Sequence, residues 1–124
     1  MSLRILFDLE LGIVRARIDG VPSLTEIAAA LAEHLDAGPL PADAPSLWDL
    51  RELDFPLLDR RFTERMVEVR ADEPRRRGAR IALLVADDLG FGMMRMYVLL
   101  SDPLGQEMAV FRDEAAAERW LCGD

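Results

Sequence analysis

Charged side chains follow two predicted buried strands, at the points where those strands end. Asp49 and Arg51 close the apolar run SLWDLR, and Asp87 closes the run ARIALLVA, which is typical of a central parallel strand covered on both faces. Ligands and partners of α/β sheets usually dock at the carboxyl ends of the strands. We therefore treat Asp49, Arg51 and Asp87 as candidate partner- or ligand-binding residues.

The same strand ends carry enough carboxylates for a metal site. Asp49, Asp87 and Asp88 would offer Mg²⁺ the oxygen ligands that it prefers. The arrangement is similar to that of receiver domains, but those also need a lysine, and this chain has none. The structural alternative is that Asp88 caps the following helix while Asp49 accepts from helix amides or pairs with an arginine. We favour the structural roles and expect no metal and no cofactor.

A short glycine loop, Gly90-Phe91-Gly92, opens the helix that follows Asp88. Free amides at a helix start can hold an anion. The neighbouring carboxylates would repel phosphate, so clearance for close packing is the favoured use of the glycines. Gly90, Phe91 and Gly92 remain candidate binding residues beside that structural reading.

The same helix carries an arginine among methionines. An unpaired buried charge is costly, so Arg95 must point outward or find a partner. We predict that Arg95 reaches back to Asp49, which would leave Arg51 facing solvent or a partner. Met94 and its apolar neighbours exceed what one buried face requires, so part of this cluster is expected to be an exposed interface or an apolar ligand pocket. Core packing is the alternative.

Composition excludes several classes of function. The 124 residues correspond to one domain, 1–124, and the net charge of −8 opposes binding to nucleic acid or to anionic membranes. A lone Cys122 forbids an intrachain disulfide, and a lone His34 forbids a histidine triad or multi-histidine metal site. No apolar run is long enough for a membrane span. We expect a cytoplasmic protein without enzymatic activity.

Hydrophobic periodicity and turn residues predict the element order ββαβαβαβα. Strands alternating with helices imply an α/β fold with a mainly parallel sheet, and Gly12 between the first two strands predicts an antiparallel hairpin at the sheet edge. Ser23 and Glu26 form a capping box that opens the first helix, and Pro56 is predicted in the first turn of the second. The predicted strands are 4–10, 13–19, 46–51, 79–86 and 106–111, and the helices end near residues 37, 74, 100 and 121.

Four stretches together resemble the SpoIIAA-like branch of the STAS superfamily. They are GVPSLTEI, WDLRELDF, DDLGFGMMRMY and VFRDEAAAERWL, and their order covers nearly the whole chain. The resemblance implies a mixed sheet of about five strands flanked by four helices. It also implies partner binding, because better-known relatives are anti-sigma-factor antagonists or transporter modules, while related folds of the CRAL-TRIO type bind lipids.

One departure from that family concerns phosphorylation. Phosphorylated antagonists of the family carry a serine after an aspartate at the start of the helix that follows the third strand. Here that stretch reads FPLLD, and the first serine or threonine after it is Thr63, a turn later. We therefore expect a non-enzymatic interaction module without that switch, bound to a protein partner or to itself as a homodimer. The alternative is a carrier of a small apolar ligand or lipid, held beneath the helix at 89–100.

Overall fold

Five strands form one mixed sheet in the computed structural model of this chain, which describes residues 2–72, 78–105 and 107–123. The strands are β1 (Ser2–Asp8), β2 (Ile13–Asp19), β3 (Ser46–Asp49), β4 (Ile81–Leu84) and β5 (Met108–Phe111). The helices within the described residues are α1 (Leu24–Ala37), α2 (Arg60–Ala71), α3 (Asp88–Leu100) and α4 (Glu114–Leu121). No helix in these ranges has the length and apolar character needed to cross a membrane.

Strand order in the sheet follows strand order in the chain, β1-β2-β3-β4-β5. β1 and β2 form the predicted antiparallel edge hairpin, and β2 to β5 run parallel. Successive crossovers therefore step across the sheet in one direction, and because such crossovers share one handedness, α1, α2 and α3 pack on the same face. The fourth helix, α4, follows the last strand and covers the opposite face.

Alternation along the strands divides the core into two apolar clusters. The three-helix face buries Ile18, Leu83 and Val85 with Met94 of α3. The other face buries Leu47, Ala82 and Leu84 against Ala117 and Leu121 of α4. Successive strand residues point to opposite faces, so one residue of register decides which helices a side chain meets.

The predicted fold class and element order are confirmed, and several boundaries agree. β2 spans the predicted residues, and α1 ends at the predicted Ala37. At the start of α1, the Glu26 amide donates to the Ser23 hydroxyl over 3.3 Å, as in the predicted capping box. β1 ends two residues earlier than predicted, because the Asp8 carboxylate accepts from the Leu11 amide and closes the turn.

The predicted start of α2 is wrong. Pro56 lies in a separate 3₁₀ turn, Phe55–Leu57, and α2 begins only at Arg60. Asp59 has an extended backbone, and its carboxylate accepts from the Phe62 amide over 3.0 Å. Capping by Asp59 therefore sets the start of the helix, and proline merely fits the preceding turn. The described helix ends at Ala71, whereas the predicted stop, Pro74, lies outside the described residues.

Candidate functional site

An apolar cavity of about 70 Å³ lies between the three-helix face of the sheet and helices α1, α2 and α3. A single water needs only about 10–15 Å³ by the same kind of measure, so the space is several times larger than one water. Its wall is built from every neighbouring element. Representative lining residues are Ile18 of β2, Leu31 of α1, Trp48 of β3, Met66 of α2, Leu83 of β4 and Met94 of α3.

Helical spacing on α2 brings one charge to this wall. Thr63, Met66 and Arg70 lie three and four residues apart, so they share the face of α2 that points toward the sheet. Thr63 is fully buried, and its hydroxyl donates to the Arg60 carbonyl over 2.6 Å. Among the described residues that line the cavity, Arg70 is the charged one.

The guanidinium of Arg70 is held but incompletely hydrogen-bonded. Its central carbon lies 5.2 Å from the centre of the Tyr97 ring, and its Nη1 donates to the Met108 sulfur. Its Nε and Nη2 are buried and have no hydrogen-bond partner among the described residues. Buried donors are normally paired, so two free ones on a single side chain mark an unusual place in the fold.

Tyr97 stands beside this guanidinium as a neutral group. It is 4% exposed, and burial raises the pKa of its hydroxyl to about 12, although the charge of Arg70 and hydrogen bonding by Arg70 work in the opposite direction. The phenol is therefore protonated at neutral pH and does not balance the charge of Arg70.

Arg70 is not among the site residues predicted from the sequence. Phe62 and Met66 of α2 line the cavity, and Arg70 lines it one helical turn after Met66. The helical spacing could have indicated this role, because Arg70 lies four residues after Met66 and seven after Thr63 and therefore shares their face of the helix.

The predicted pair between Asp49 and Arg95 is wrong. Asp49 accepts from Arg51 instead, at 2.9 Å from Nε and 2.8 Å from Nη2. This hydrogen bonding by Arg51 lowers the pKa of Asp49 below its ordinary value. Arg51 faces solvent in part, but it is not free.

The pleat of β3 explains why that pair does not form. Trp48 points to the three-helix face, so its neighbour Asp49 points to the face of α4. Arg95 belongs to α3, on the other side of the sheet. It is exposed and lies over the Phe91 ring, 5.8 Å from the ring centre.

The aspartates and Gly90 at the start of α3 have structural roles. Asp87, not Asp88 as predicted, caps the helix by accepting from the Gly90 amide over 2.9 Å. Asp88 accepts from Arg112 over 2.6 Å. A Cβ on Gly90 would lie 2.9 Å from the Phe55 ring, so Gly90 provides the clearance for close packing that the sequence favoured. Gly92 is exposed and has open space around it.

The predicted site residues therefore lie in separate places. Met94 lines the cavity, Asp49 and Arg51 lie on the α4 side of the sheet, and the exposed Arg95 lies over the ring of the half-buried Phe91 on α3. Across the described ranges, no three His, Cys, Asp or Glu side chains converge as metal ligands would. The cavity is the feature that brings side chains from β2 to α3 together.

Comparison with known proteins identifies the fold. A crystal structure of an uncharacterised DUF3478-family protein from Shewanella loihica PV-4, which has a SpoIIAA-like fold, matches 98% of this chain and 93% of its own. The TM-score is 0.67 and the sequence identity is 20%. No family model matches the sequence, and no curated protein gives a significant match. The likeness identifies a SpoIIAA-like fold.

Proposed function

We propose that this SpoIIAA-like domain binds a small, mainly apolar molecule in the cavity beneath α3, without catalysing a reaction on it. The observation that carries the proposal is the cavity itself, about 70 Å³ of space walled largely by aliphatic, thioether and aromatic side chains. Cores are normally packed with few voids larger than a water, so a cavity of this size is a departure from ordinary packing. Concave, mostly apolar spaces of this kind are the usual sites of small-molecule binding.

The chemistry of the wall favours an apolar occupant over water. A buried water needs two to four polar partners, and, away from Arg70, aliphatic side chains such as Ile18, Leu31 and Leu83 offer none. An apolar ligand gains about 25 cal/mol for each square ångström of its surface that leaves water. It also makes dispersion contacts with side chains that face empty space in the free protein.

Trp48 provides a direct measurement of occupancy. It lines the cavity, and its indole nitrogen donates to the Ser46 hydroxyl over 3.1 Å. The second tryptophan, Trp120, packs against Phe111 beneath α4 on the other face, with ring centres 5.6 Å apart. A Trp120→Phe variant therefore leaves Trp48, in the cavity wall, as the single tryptophan. Titration of this variant with medium-chain alcohols should change the Trp48 emission saturably.

Two neighbouring residues of α1 give a matched test of where the ligand binds. Leu31 lines the cavity, whereas Ala32 is exposed. Leu31→Phe should fill part of the space and weaken the titration, and Ala32→Phe should leave it unchanged. Equal effects of the two variants, or no saturable signal in the parent, would contradict a binding cavity. Native mass spectrometry of the purified protein adds an independent reading, since a co-purified small mass is expected.

A second candidate function is a protein interface on the outer side of α3. The Phe91 ring is close to two guanidiniums, with the central carbon of Arg112 4.9 Å and that of Arg95 5.8 Å from the ring centre. Leu89 is 47% exposed and Leu99 is 71% exposed. A half-buried aromatic side chain beside exposed arginines is common at protein interfaces, and the exposed leucines add apolar surface.

Self-association is the form of this second function that the chain alone can test. Sedimentation equilibrium over a range of concentrations should reveal a dimer that Leu99→Glu disrupts. A parent protein that stays monomeric at every concentration contradicts the homodimer.

A further inference from the structure

We propose that the ligand of this cavity is an apolar monocarboxylic acid, whose carboxylate is bound by the free Nε and Nη2 of Arg70. The inference rests on the proposed function, because it assumes that the cavity beneath α3 is occupied. It assigns to Arg70 a binding role that the sequence did not indicate, and it narrows the ligand from any apolar molecule to one with a single anionic end.

The two free nitrogens form one edge of the guanidinium. Nε and Nη2 present parallel N–H groups that match the two oxygens of a carboxylate. Nη1 is engaged by the sulfur of Met108, which is a weak acceptor. The edge that remains is the one suited to bidentate binding.

The same chain already uses this edge on carboxylates elsewhere. Arg51 binds Asp49 through Nε at 2.9 Å and Nη2 at 2.8 Å. Arg15 donates from Nε at 3.2 Å and from Nη2 at 3.1 Å to a single oxygen of Asp8, Oδ2, whereas Arg51 uses both oxygens of Asp49. In both pairs, a carboxylate occupies the edge that Arg70 leaves free.

Burial makes the two unpaired N–H groups of Arg70 energetically costly. A surface arginine completes its hydrogen bonds with water, but Nε and Nη2 of Arg70 are shielded from solvent. Buried charges are normally paired, because an unpaired one has lost its hydration without compensation. A ligand carboxylate that reaches Nε and Nη2 when the Arg70 side chain turns toward the cavity would restore both the hydrogen bonds and the charge balance.

The electrostatics of the wall favour a monoanion over a phosphate dianion. Arg70 is the charged residue among the described lining side chains, and the neighbouring Tyr97 is neutral at physiological pH. One guanidinium neutralises one carboxylate. The remaining wall is apolar and suits a hydrocarbon or aromatic body attached to that single head.

Paired probes of matched length test the inference. Straight-chain acids from hexanoic to decanoic acid, and the alcohols of the same lengths, are titrated into the Trp120→Phe protein below their micellar concentrations. We expect the best acid to bind about tenfold to a hundredfold more tightly than its alcohol, the factor associated with hydrogen bonds to a charged group.

Substitutions on α2 assign that preference to one side chain. Arg70→Met should abolish the preference for acid over alcohol. Arg70→Lys keeps the charge but lacks the two-nitrogen edge, so it should retain only part of the preference. Arg65 lies on the same helix and is exposed, and Arg65→Met is the matched control that should bind as the parent does.

Each outcome decides between the two proposals. Equal binding of acid and alcohol by the parent overturns the carboxylate inference and leaves the apolar cavity standing. A preference for the acid that survives in Arg70→Met and Arg70→Lys also overturns it, because the head is then bound elsewhere. Failure of every acid and alcohol to bind overturns the cavity proposal itself.

Discussion

The guanidinium of Arg70 on α2 lies over the ring of Tyr97 on α3, with its central carbon 5.2 Å from the ring centre. Neither side chain has an acidic partner in the described part of the chain, and both line the same cavity. A cation over an aromatic face is attracted by the ring, by about 2 kcal/mol when the pair is desolvated. The contact positions Arg70 without using its Nε and Nη2.

Arg70→Met is expected to stabilise the ligand-free protein. The substitution removes two buried unpaired donors and fills a similar volume with an apolar side chain, at the cost of the contact with Tyr97. We expect the free energy of unfolding in urea to rise by about 1 kcal/mol. The exposed Arg65→Met control should change it by less than about 0.5 kcal/mol. A clear loss of stability in Arg70→Met would show that the unpaired donors do not destabilise the folded protein.

Stability should fall at alkaline pH because of Tyr97. The pKa of its hydroxyl is raised from 10.0 to about 12, so the unfolded chain releases this proton at lower pH than the folded one. The contribution is complete below pH 10 and is lost as the pH rises toward 12, by about 2–3 kcal/mol in total. The chain has one tyrosine and no lysine, which leaves this window unusually clear.

Urea unfolding at several pH values between 9 and 12 measures this slope, the fall in the free energy of unfolding with rising pH. Tyr97→Phe should remove most of it while the stability near pH 7 changes little. A slope that persists in the variant would assign the alkaline titration to another group.

Two glycines of α3 should respond oppositely to alanine. A Cβ at position 90 would lie 2.9 Å from the buried Phe55 ring, so Gly90→Ala is expected to destabilise the fold by about 1–3 kcal/mol. Position 92 has open space, so Gly92→Ala should stabilise the helix by up to about 1 kcal/mol. Thermal unfolding of the two variants checks both signs, and a neutral Gly90→Ala would contradict the close approach to Phe55.

The carboxyl of Asp49 should respond to Arg51 and not to Arg95. Hydrogen bonding by Arg51 lowers the pKa of Asp49, so Arg51→Gln should raise it toward 3.8. Arg95→Gln should leave it unchanged, since Arg95 lies across the sheet. NMR titration of the Asp49 carboxyl carbon distinguishes the two variants.

The same pair contributes little to stability. Its contribution is present above pH 3.8 and is lost as the pH falls through the lowered pKa of folded Asp49. Because the Arg51 side chain is 40% exposed, we expect less than about 1 kcal/mol from the pair, measured as the difference between Asp49→Asn and the parent at pH 7. A larger loss would indicate that Asp49 has a partner beyond Arg51.

Local rules predicted the elements well and the long-range contacts poorly. The alternation of residues 13–19 predicted β2. The Ser23 capping box and the glycine and proline after Ala37 predicted the two ends of α1. These signals lie within the element or directly beside it. The Asp49–Arg95 prediction failed because proximity in the sequence pattern says nothing about which face of the sheet each side chain meets. Arg70 was missed because its significance depends on a sheet and a third helix that close around it.

The start of α2 illustrates competition between two local signals. Pro56 and Asp59 are both common at helix starts, and sequence reasoning chose the proline. The structure shows that the proline fits a separate 3₁₀ turn and that Asp59 caps the helix. Leu58 therefore lies before α2, and the helix begins at Arg60, four residues after Pro56.

The order of strands across the sheet has a consequence for how the chain acquires its structure. Every strand pairs with the strand before it in the sequence, so each new pairing closes only the short loop formed by one crossover. During synthesis, each strand emerges next to an edge that is already formed and can dock there without waiting for distant segments. The residues that line the cavity, from Ile18 to Tyr97, precede β5 and α4 in the chain, so this wall is synthesised before that strand and helix.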